Sequence, residues 1–337
     1  MRSLILGGSV FVGKRLVAAL LDAGHEVSVL NRGLTPTTLP GGVHHLVADR
    51  NDIGSMRTAL GTTQWDAVFD VSGFVMAAGG SDIHDLLDLF HGRVGTYVYV
   101  SSIMAYDQSL VGVFPWTEDM PSNTDGARSY GGFKAMSERA MLQRHTMDGF
   151  PVVIVRPAAI YGPDNNIYDM ETPMFLRLLQ HRPILLPHGG LVVGSYGHVD
   201  DLVAFMLVAS TIPSARGEIF NVTTSAVTTR RYVTTLAEIV GVEPNIVEVP
   251  DDVLKSVTMP VFSHLFGIRH HAELSTAKAD AVLRPRHSFH AGHEMTYEWF
   301  LSQGWADRSS PLIDPVWRAT WDFDAESEVA SRVAALL

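Results

Sequence analysis

The chain has 337 residues, and 46% of them are hydrophobic, which is ample for a large packed core. A formal net charge of −11 argues against a protein whose main task is to hold nucleic acid or an anionic membrane, and favours small-molecule chemistry. The absence of cysteine excludes disulfides, thiolate nucleophiles and zinc sites built on sulfur.

After Met1 the first apolar run, Leu4-Ile5-Leu6, is too short for a signal peptide or a membrane span, so a cytoplasmic location is expected. It runs into Gly7-Gly8-Ser9-Val10-Phe11-Val12-Gly13, and residues 14–23 then carry apolar side chains at helical spacing (Leu16, Val17, Leu20, Leu21). A second strand is predicted at 26–30, completing a βαβ unit. Alternation continues, with strands predicted at 45–48, 67–71, 96–101 and 152–156 and helices at 53–60, 82–90 and 130–148. Such alternation implies a parallel sheet covered on both faces: an α/β, Rossmann-type, doubly wound fold. Beyond Pro157 the pattern loosens, and residues 162–173 and 183–197 read as Pro- and Gly-rich loops suited to face a substrate. A strand is expected at 218–222, a helix at 229–240, turns at Gly267, Pro285 and Gly292, and a helical tail carrying Val329, Val333 and Leu336. The domain boundaries that follow are 1–165 with 198–240 for the nucleotide-binding part, and 166–197 with 241–337 for a smaller substrate-capping part.

A glycine turn between strand and helix lets backbone amides and the helix N-terminus face a pyrophosphate. Here Gly7, Ser9, Val10, Phe11, Val12 and Gly13 form that turn, with Val10 where a second glycine usually stands. The second strand ends in Asn31-Arg32-Gly33, offering a guanidinium and no acid, so NADP is expected in preference to NAD. Asp49 and Arg50 follow the third strand and face the adenine edge or, for Asp49, cap the next helix; Ser72 follows the fourth.

Tyr130 and Lys134 stand four residues apart, on one face of a predicted helix, where an ammonium can favour the ionised phenol. Ser101 and Ser102 precede them at a strand end. Hydride transfer at a carbinol carbon leaves or takes a proton on oxygen, which a positioned phenol can manage.

These ordered segments resemble the extended short-chain dehydrogenase/reductase family, also called the NAD-dependent epimerase/dehydratase family. The motifs are GGSVFVG, VSSIMAY at 100–106, YGGFK at 130–134, RPAAIYGP at 156–163 and HVDDL at 198–202, with ELSTAKADAVL at 273–283 similar to the family's entry into its C-terminal helices. The resemblance implies that Ser102 hydrogen-bonds the substrate oxygen, that Tyr130 exchanges its proton, and that Lys134 holds the nicotinamide ribose and lowers the Tyr130 pKa. Pro157, Ala159 and Ile160 would line the nicotinamide. Family dehydratases carry Asp and Glu directly after the catalytic Ser or Thr, whereas this chain has Ile103 and Met104, which cannot move a proton. Epimerases tend to hold a diphosphate with an arginine where this chain has Gly194, leaving Arg177, Arg182 or Arg269 to compensate. The same motifs also look like a branch that includes chloroplast stem-loop RNA-binding proteins. Those generally lack the Tyr and Lys pair, so catalysis is the first reading and nucleic acid is not expected as a partner. The family also suggests a homodimer through the Tyr130 helix.

Other features read as structural. His264, His270, His271, His287, His290 and His293 fit no compact metal motif, and no metal is expected. Of Asp200 and Asp201, one should cap a helix and one be solvated. Trp299, Phe300 and Trp305 read as core, whereas Ile103, Met104, Trp116 and Tyr168 are candidate substrate contacts. The expected activity is reversible NAD(P)-dependent hydride transfer on a polar, sugar-like small molecule, with epimerisation through a transient ketone second and a non-catalytic dinucleotide sensor or RNA-binding module third.

Overall fold

A computed structural model describes residues 1–34, 38–72, 83–107, 109, 112–257, 270–312 and 321–336. The first half alternates strand and helix: β1 (Arg2–Leu6), α1 (Phe11–Asp22), β2 (Glu26–Asn31), β3 (Val43–Val47), α2 (Ile53–Leu60), β4 (Trp65–Asp70), α3 (Ile83–Phe90), β5 (Val94–Val100), α4 (Tyr130–Asp148) and β6 (Val152–Pro157). Then come β7 (Ala159–Tyr161), α5 (Glu171–Leu179), β8 (Ile184–Pro187), β9 (Val193–His198), α6 (Val199–Ser210), β10 (Ile219–Val222), β11 (Ser225–Thr228), α7 (Thr229–Val240), β12 (Ile246–Val249), α8 (Asp251–Ser256), α9 (Ala277–Asp280), α10 (Phe289–Ser302) and α11 (Phe323–Ala334).

Seven strands form one parallel sheet in the order β10-β6-β5-β4-β1-β2-β3. Most of its strands are apolar on both sides because helices cover both faces: Leu4, Leu6, Val68, Tyr97 and Ile154 pack towards α2, α3 and α4, while Ile5, Val29, Phe69, Val98 and Val155 pack towards α1 and α6. Strand order reverses between β1 and β4. The crevice at the carboxyl ends of those two strands is where open α/β sheets place ligands.

A second core gathers the remaining elements around Tyr161, Phe175, Leu186, Tyr196, Tyr232, Phe289 and Phe300. The stretch 183–197, expected as loop, contains β8 and β9 instead. β8 pairs in parallel with β12, and β9 pairs with β7 and β11. These partners lie outside the stretch itself, so its own Pro and Gly content misled. Gly292, expected in a turn, lies inside α10: a Cβ there would press within 2.7 Å of the Tyr161 hydroxyl and 2.9 Å of His198 Cδ2. It is a close-packing glycine. Pro285 lies outside the helices, and Gly267 lies outside the described residues. In the tail, Val329 and Val333 are buried on α11, while Leu336 is exposed past its end. Phe300 is fully buried, and Trp299 and Trp305 pack partly buried against the same core. Among the described residues, no helix is long and apolar enough to cross a membrane.

Candidate active site

The candidate nucleotide-binding residues lie in the turn after β1. Gly7 and Gly8 adopt φ of 119° and 90°, conformations that side chains rarely take. A Cβ on Gly13 would sit 2.5 Å from Gly8 N, so that glycine lets α1 pack onto the turn. Val10, at the N-cap of α1, makes no side-chain cap and there is no acid in the first turn, which leaves the leading amides for an anion. Val10 itself is exposed, Phe11 is buried and Val12 is half-buried. Asn31 is part of the same construction, donating to Ser9 Oγ at 2.8 Å and accepting from Gly33 N at 2.8 Å. Arg32 is exposed beside it.

Two expectations at this end are corrected. Asp49 does not cap α2; Asp52 does, accepting from Ser55 N at 3.1 Å, while half-buried Asp49 accepts from Asn51 N at 2.9 Å. Arg50, expected to face the adenine, turns inward and is buried. Its guanidinium donates to both oxygens of Asp70, at 2.6 and 2.9 Å, and to Ser72 Oγ at 2.8 Å. A buried carboxylate takes the cation because each would be costly alone.

The candidate proton-transfer residues lie where β5 leads into a short turn and α4 begins. Ser129 caps α4, accepting from Gly132 N at 3.0 Å. Gly131 and Gly132 are needed for close approach, since a Cβ on the first would collide with the Met104 carbonyl and one on the second with Gly126. That contact brings Tyr130 to the 102–105 turn, where the Ser102 side chain favours the ionised form of its phenol. Ser102 Oγ also accepts from Met104 N at 3.1 Å. Lys134 is buried. Its ammonium donates to the Val100 carbonyl at 2.7 Å and lies 4.9 Å from the Tyr99 ring centroid and 5.6 Å from that of Tyr130.

The expected lowering of the Tyr130 pKa is not what this geometry gives. Burial pushes the phenol up, and the Ser102 side chain only partly opposes it. Burial brings Lys134 down to about 8, against the pull of Asp70. The reason is placement: the ammonium bonds a backbone carbonyl rather than the phenol oxygen.

Pro157 closes β6, and Ala159 and half-buried Ile160 lie on β7. Ile103 packs on a small cluster of Tyr106, Trp116, Ala158, Ala272 and Leu274. Trp116 is completely buried in that cluster, 5.4 Å from the Tyr106 ring, so it backs the wall and does not surface it. Met104 is 41% exposed, and Phe114, two residues from Trp116, is 47% exposed with its ring 5.3 Å from His271. Tyr168 stands apart, edge-on to Trp305 at 5.7 Å.

Of the arginines able to meet a diphosphate, Arg177 is buried against Glu326, at 2.6 and 2.8 Å, and Arg182 lies over the Phe323 ring at 4.4 Å. Arg269 and His264 lie outside the described residues.

Neither aspartate after β9 behaves as expected. His198, not an aspartate, caps α6; Asp200 binds Arg15 through both oxygens, at 2.7 and 2.8 Å, and buried Asp201 accepts from Arg286 N, His287 N and the His287 ring. Ligand-type atoms of His198, Asp200 and His287 lie within 4.8 Å of one another, but the Asp200 carboxylate is already neutralised by Arg15.

The family model described as "NAD dependent epimerase/dehydratase family" matches residues 3–223, which contain every motif of both ends except the C-terminal entry. The chain belongs to that family. This epimerase/dehydratase-family chain is 29% identical over 232 residues to the chloroplast stem-loop binding protein of 41 kDa b of Arabidopsis thaliana, covering 65% of this chain and 57% of that one. It is 26% identical over 212 residues to a 3 beta-hydroxysteroid dehydrogenase/Delta 5-->4-isomerase of Mycobacterium tuberculosis, covering 57% and 54%. The family member thus spans about half the length of these curated relatives. In fold it is similar to dTDP-glucose 4,6-dehydratase of Bacillus anthracis, solved with NAD (TM-score 0.74, 18% identity, 90% and 97% of the two chains covered). It is also similar to UDP-glucose 4-epimerase of Thermotoga maritima, solved with UDP-glucose (TM-score 0.73, 22% identity, 90% and 99% covered).

Three features of the structure carried no legible signal: the inward turn of Arg50 onto Asp70 beside the candidate site and, in the second core, the buried Glu171 and the ring cluster of Tyr161, His198 and His293. Spacing alone places none of these partners together.

Proposed function

We propose that this family member is an NAD(P)-dependent oxidoreductase that interconverts a ketone and a secondary alcohol, with Tyr130 as the proton donor and acceptor at the substrate oxygen. The observation that carries this reading is the close approach of the Tyr130 end of α4 to the Ser102 turn, with the buried Lys134 ammonium 5.6 Å from the Tyr130 ring, at the carboxyl end of the sheet. The nicotinamide supplies or accepts the hydride when bound. Gly7, Gly8, the leading amides of α1 and Asn31 would hold its phosphate and adenosine end, and the fit is supported by a helix start with no side-chain cap and no acid in its first turn, closed tightly against the glycine turn by Gly13. Exposed Arg32 favours a 2′-phosphate, hence NADP.

Ser102 donates to the substrate oxygen and fixes its place against the phenol. Because burial keeps the Tyr130 phenol protonated at neutral pH, the resting site is set to give a proton, which is the direction of ketone reduction. Dehydration is disfavoured, since Ile103 and Met104 offer no acid or base. The substrate reading shifts from the sugar-like molecule expected from sequence towards a ketone on an apolar ring system. Met104 and Phe114 expose apolar surface on the approach, while Arg177 and Arg182 are engaged elsewhere.

The test follows NADPH absorbance with 2-decalone and, separately, UDP-glucose as trial substrates. Consumption with the decalone, lost at least about a hundredfold in Tyr130→Phe with cofactor affinity retained, supports the reading. Turnover in Tyr130→Phe equal to the parent would refute it. Similarity to a stem-loop binding protein supports a second, non-catalytic reading, which predicts cofactor binding and RNA retention that survive Tyr130→Phe.

A further inference from the structure

At the crevice between β1 and β4, directly beneath the working end of the site, two ionised side chains are buried together. Asp70 closes β4 and is fully buried; Arg50, from the turn after β3, is nearly so. Besides the two bonds from Arg50, the Asp70 carboxylate accepts from the Tyr97 hydroxyl at 2.8 Å and from Ser72 N at 3.3 Å. Arg50 in turn holds the Ser72 hydroxyl, and Ser72 flanks the nucleotide turn, 3.4 Å from where a Cβ on Gly7 would stand. On its other side Asp70 lies opposite Tyr99 in the β4–β5 register. The Tyr99 ring is 4.9 Å from the Lys134 ammonium, and the next residue, Val100, provides the carbonyl which that ammonium bonds.

A buried ion pair is a poor device for stability alone, because removing two charges from water offsets most of their attraction. Its position is more telling: one end braces the nucleotide turn, and the other puts a carboxylate within electrostatic reach of the buried lysine. We propose that Asp70 and Arg50 are positioning residues, with Asp70 supplying the negative charge that seats the Lys134 ammonium and Arg50 fixing that carboxylate while tempering its field. This rests on the reading of Lys134 as a working residue of the site.

The groups facing Lys134 are Asp70 from β4, Arg50 from the turn after β3, Tyr99 from β5, and Tyr130 and Glu138 from its own helix. Burial lowers the ammonium to about 8; Asp70 and Glu138 pull it up, and Arg50 pulls it down. The two members of the ion pair therefore act on Lys134 with opposite sign.

The experiment is a pH titration of the full chain labelled with ¹³Cε-lysine. The sequence has four lysines, at 14, 134, 255 and 278, so the Lys134 signal is identified by its loss in Lys134→Met. Asp70→Asn should lower its midpoint by about half a pH unit or more, and Arg50→Gln should raise it by a similar amount. A purely structural pair would leave the midpoint unmoved or shift it the same way in both variants, and either result overturns the proposal. Asp70→Asn strands a buried guanidinium and can unfold the chain. The double variant Arg50→Gln/Asp70→Asn keeps a neutral hydrogen-bonded pair, and since Asp70 outweighs Arg50 its midpoint should still fall; an unchanged midpoint there also overturns the proposal. Binding of NADH to Lys134→Met tests the role of the lysine separately, so failure of that reading is distinguishable from failure of this one.

Discussion

Tyr161 and His293 stack face to face, with ring centroids 3.9 Å apart and planes 10° from parallel. The contact joins β7, which leaves the main sheet, to α10 in the second core. His293 is wholly buried, and its Nδ1 bonds the Phe289 carbonyl at 2.8 Å, where a neutral imidazole donates.

That burial makes acid sensitivity a built-in property. Burial lowers His293 from 6.5 to about 3. Below about pH 6.5 the unfolded chain binds a proton at this ring, while the folded chain refuses it until about pH 3, so stability falls as pH falls through that window. His293→Phe, which keeps the stack, should recover about 2–3 kcal/mol of unfolding free energy at pH 4.5 relative to the parent, compared with its effect at pH 7. Urea melts at the two pH values measure it; an equal difference at both would count against the neutral buried imidazole. His198, held at about 4 by the same burial, keeps some acid sensitivity in the variant.

Glu171 makes the opposite prediction. Its carboxyl is buried in the second core with Asn165 donating to Oε2 at 2.9 Å, and Oε1 has no partner among the described residues. Burial raises it from 4.5 to about 8. The folded chain keeps this proton up to about pH 8 while the unfolded chain loses it near 4.5, so stability declines as pH rises between them. Glu171→Gln should raise stability by about 2 kcal/mol or more at pH 7.5 and leave it nearly unchanged at pH 4.5. Thermal melts across that range would show the gap opening with pH, and a constant gap would contradict the protonated carboxyl.

The proposed preference for NADP rests on Arg32. It is exposed next to Asn31, whose amide is tied to Ser9 of the nucleotide turn, so the guanidinium is free to move without disturbing the turn. Arg32→Ala should weaken NADP binding about tenfold and NAD binding less than twofold. Fluorescence titration with the two reduced cofactors measures both, and equal losses would remove the 2′-phosphate assignment.

The alternation of strands and helices was legible because a parallel sheet buried on both faces needs continuous apolar runs, as at 152–155, separated by amphipathic helices. Ser102, Tyr130 and the glycine turn could be singled out as candidates because their spacing is local. β8 and β9 were not: strands containing Pro187, Gly194 and Gly197 are held by β12, β11 and β7, and nothing within the stretch announces those partners. Gly292 misled for a related reason, since a glycine required by a neighbouring ring has the same letter as one required by a turn.

By itself the sequence determined the class of fold and the family, and named the candidate residues for the two ends of the proposed site. The tertiary structure decided their electrostatics. Arg50 meets Asp70 instead of solvent, Lys134 meets a carbonyl instead of the phenol, and Tyr130 is pushed up instead of down. The physical reason is that charge state depends on desolvation and on neighbours across strands, and both exist only once β1, β4 and β5 lie side by side.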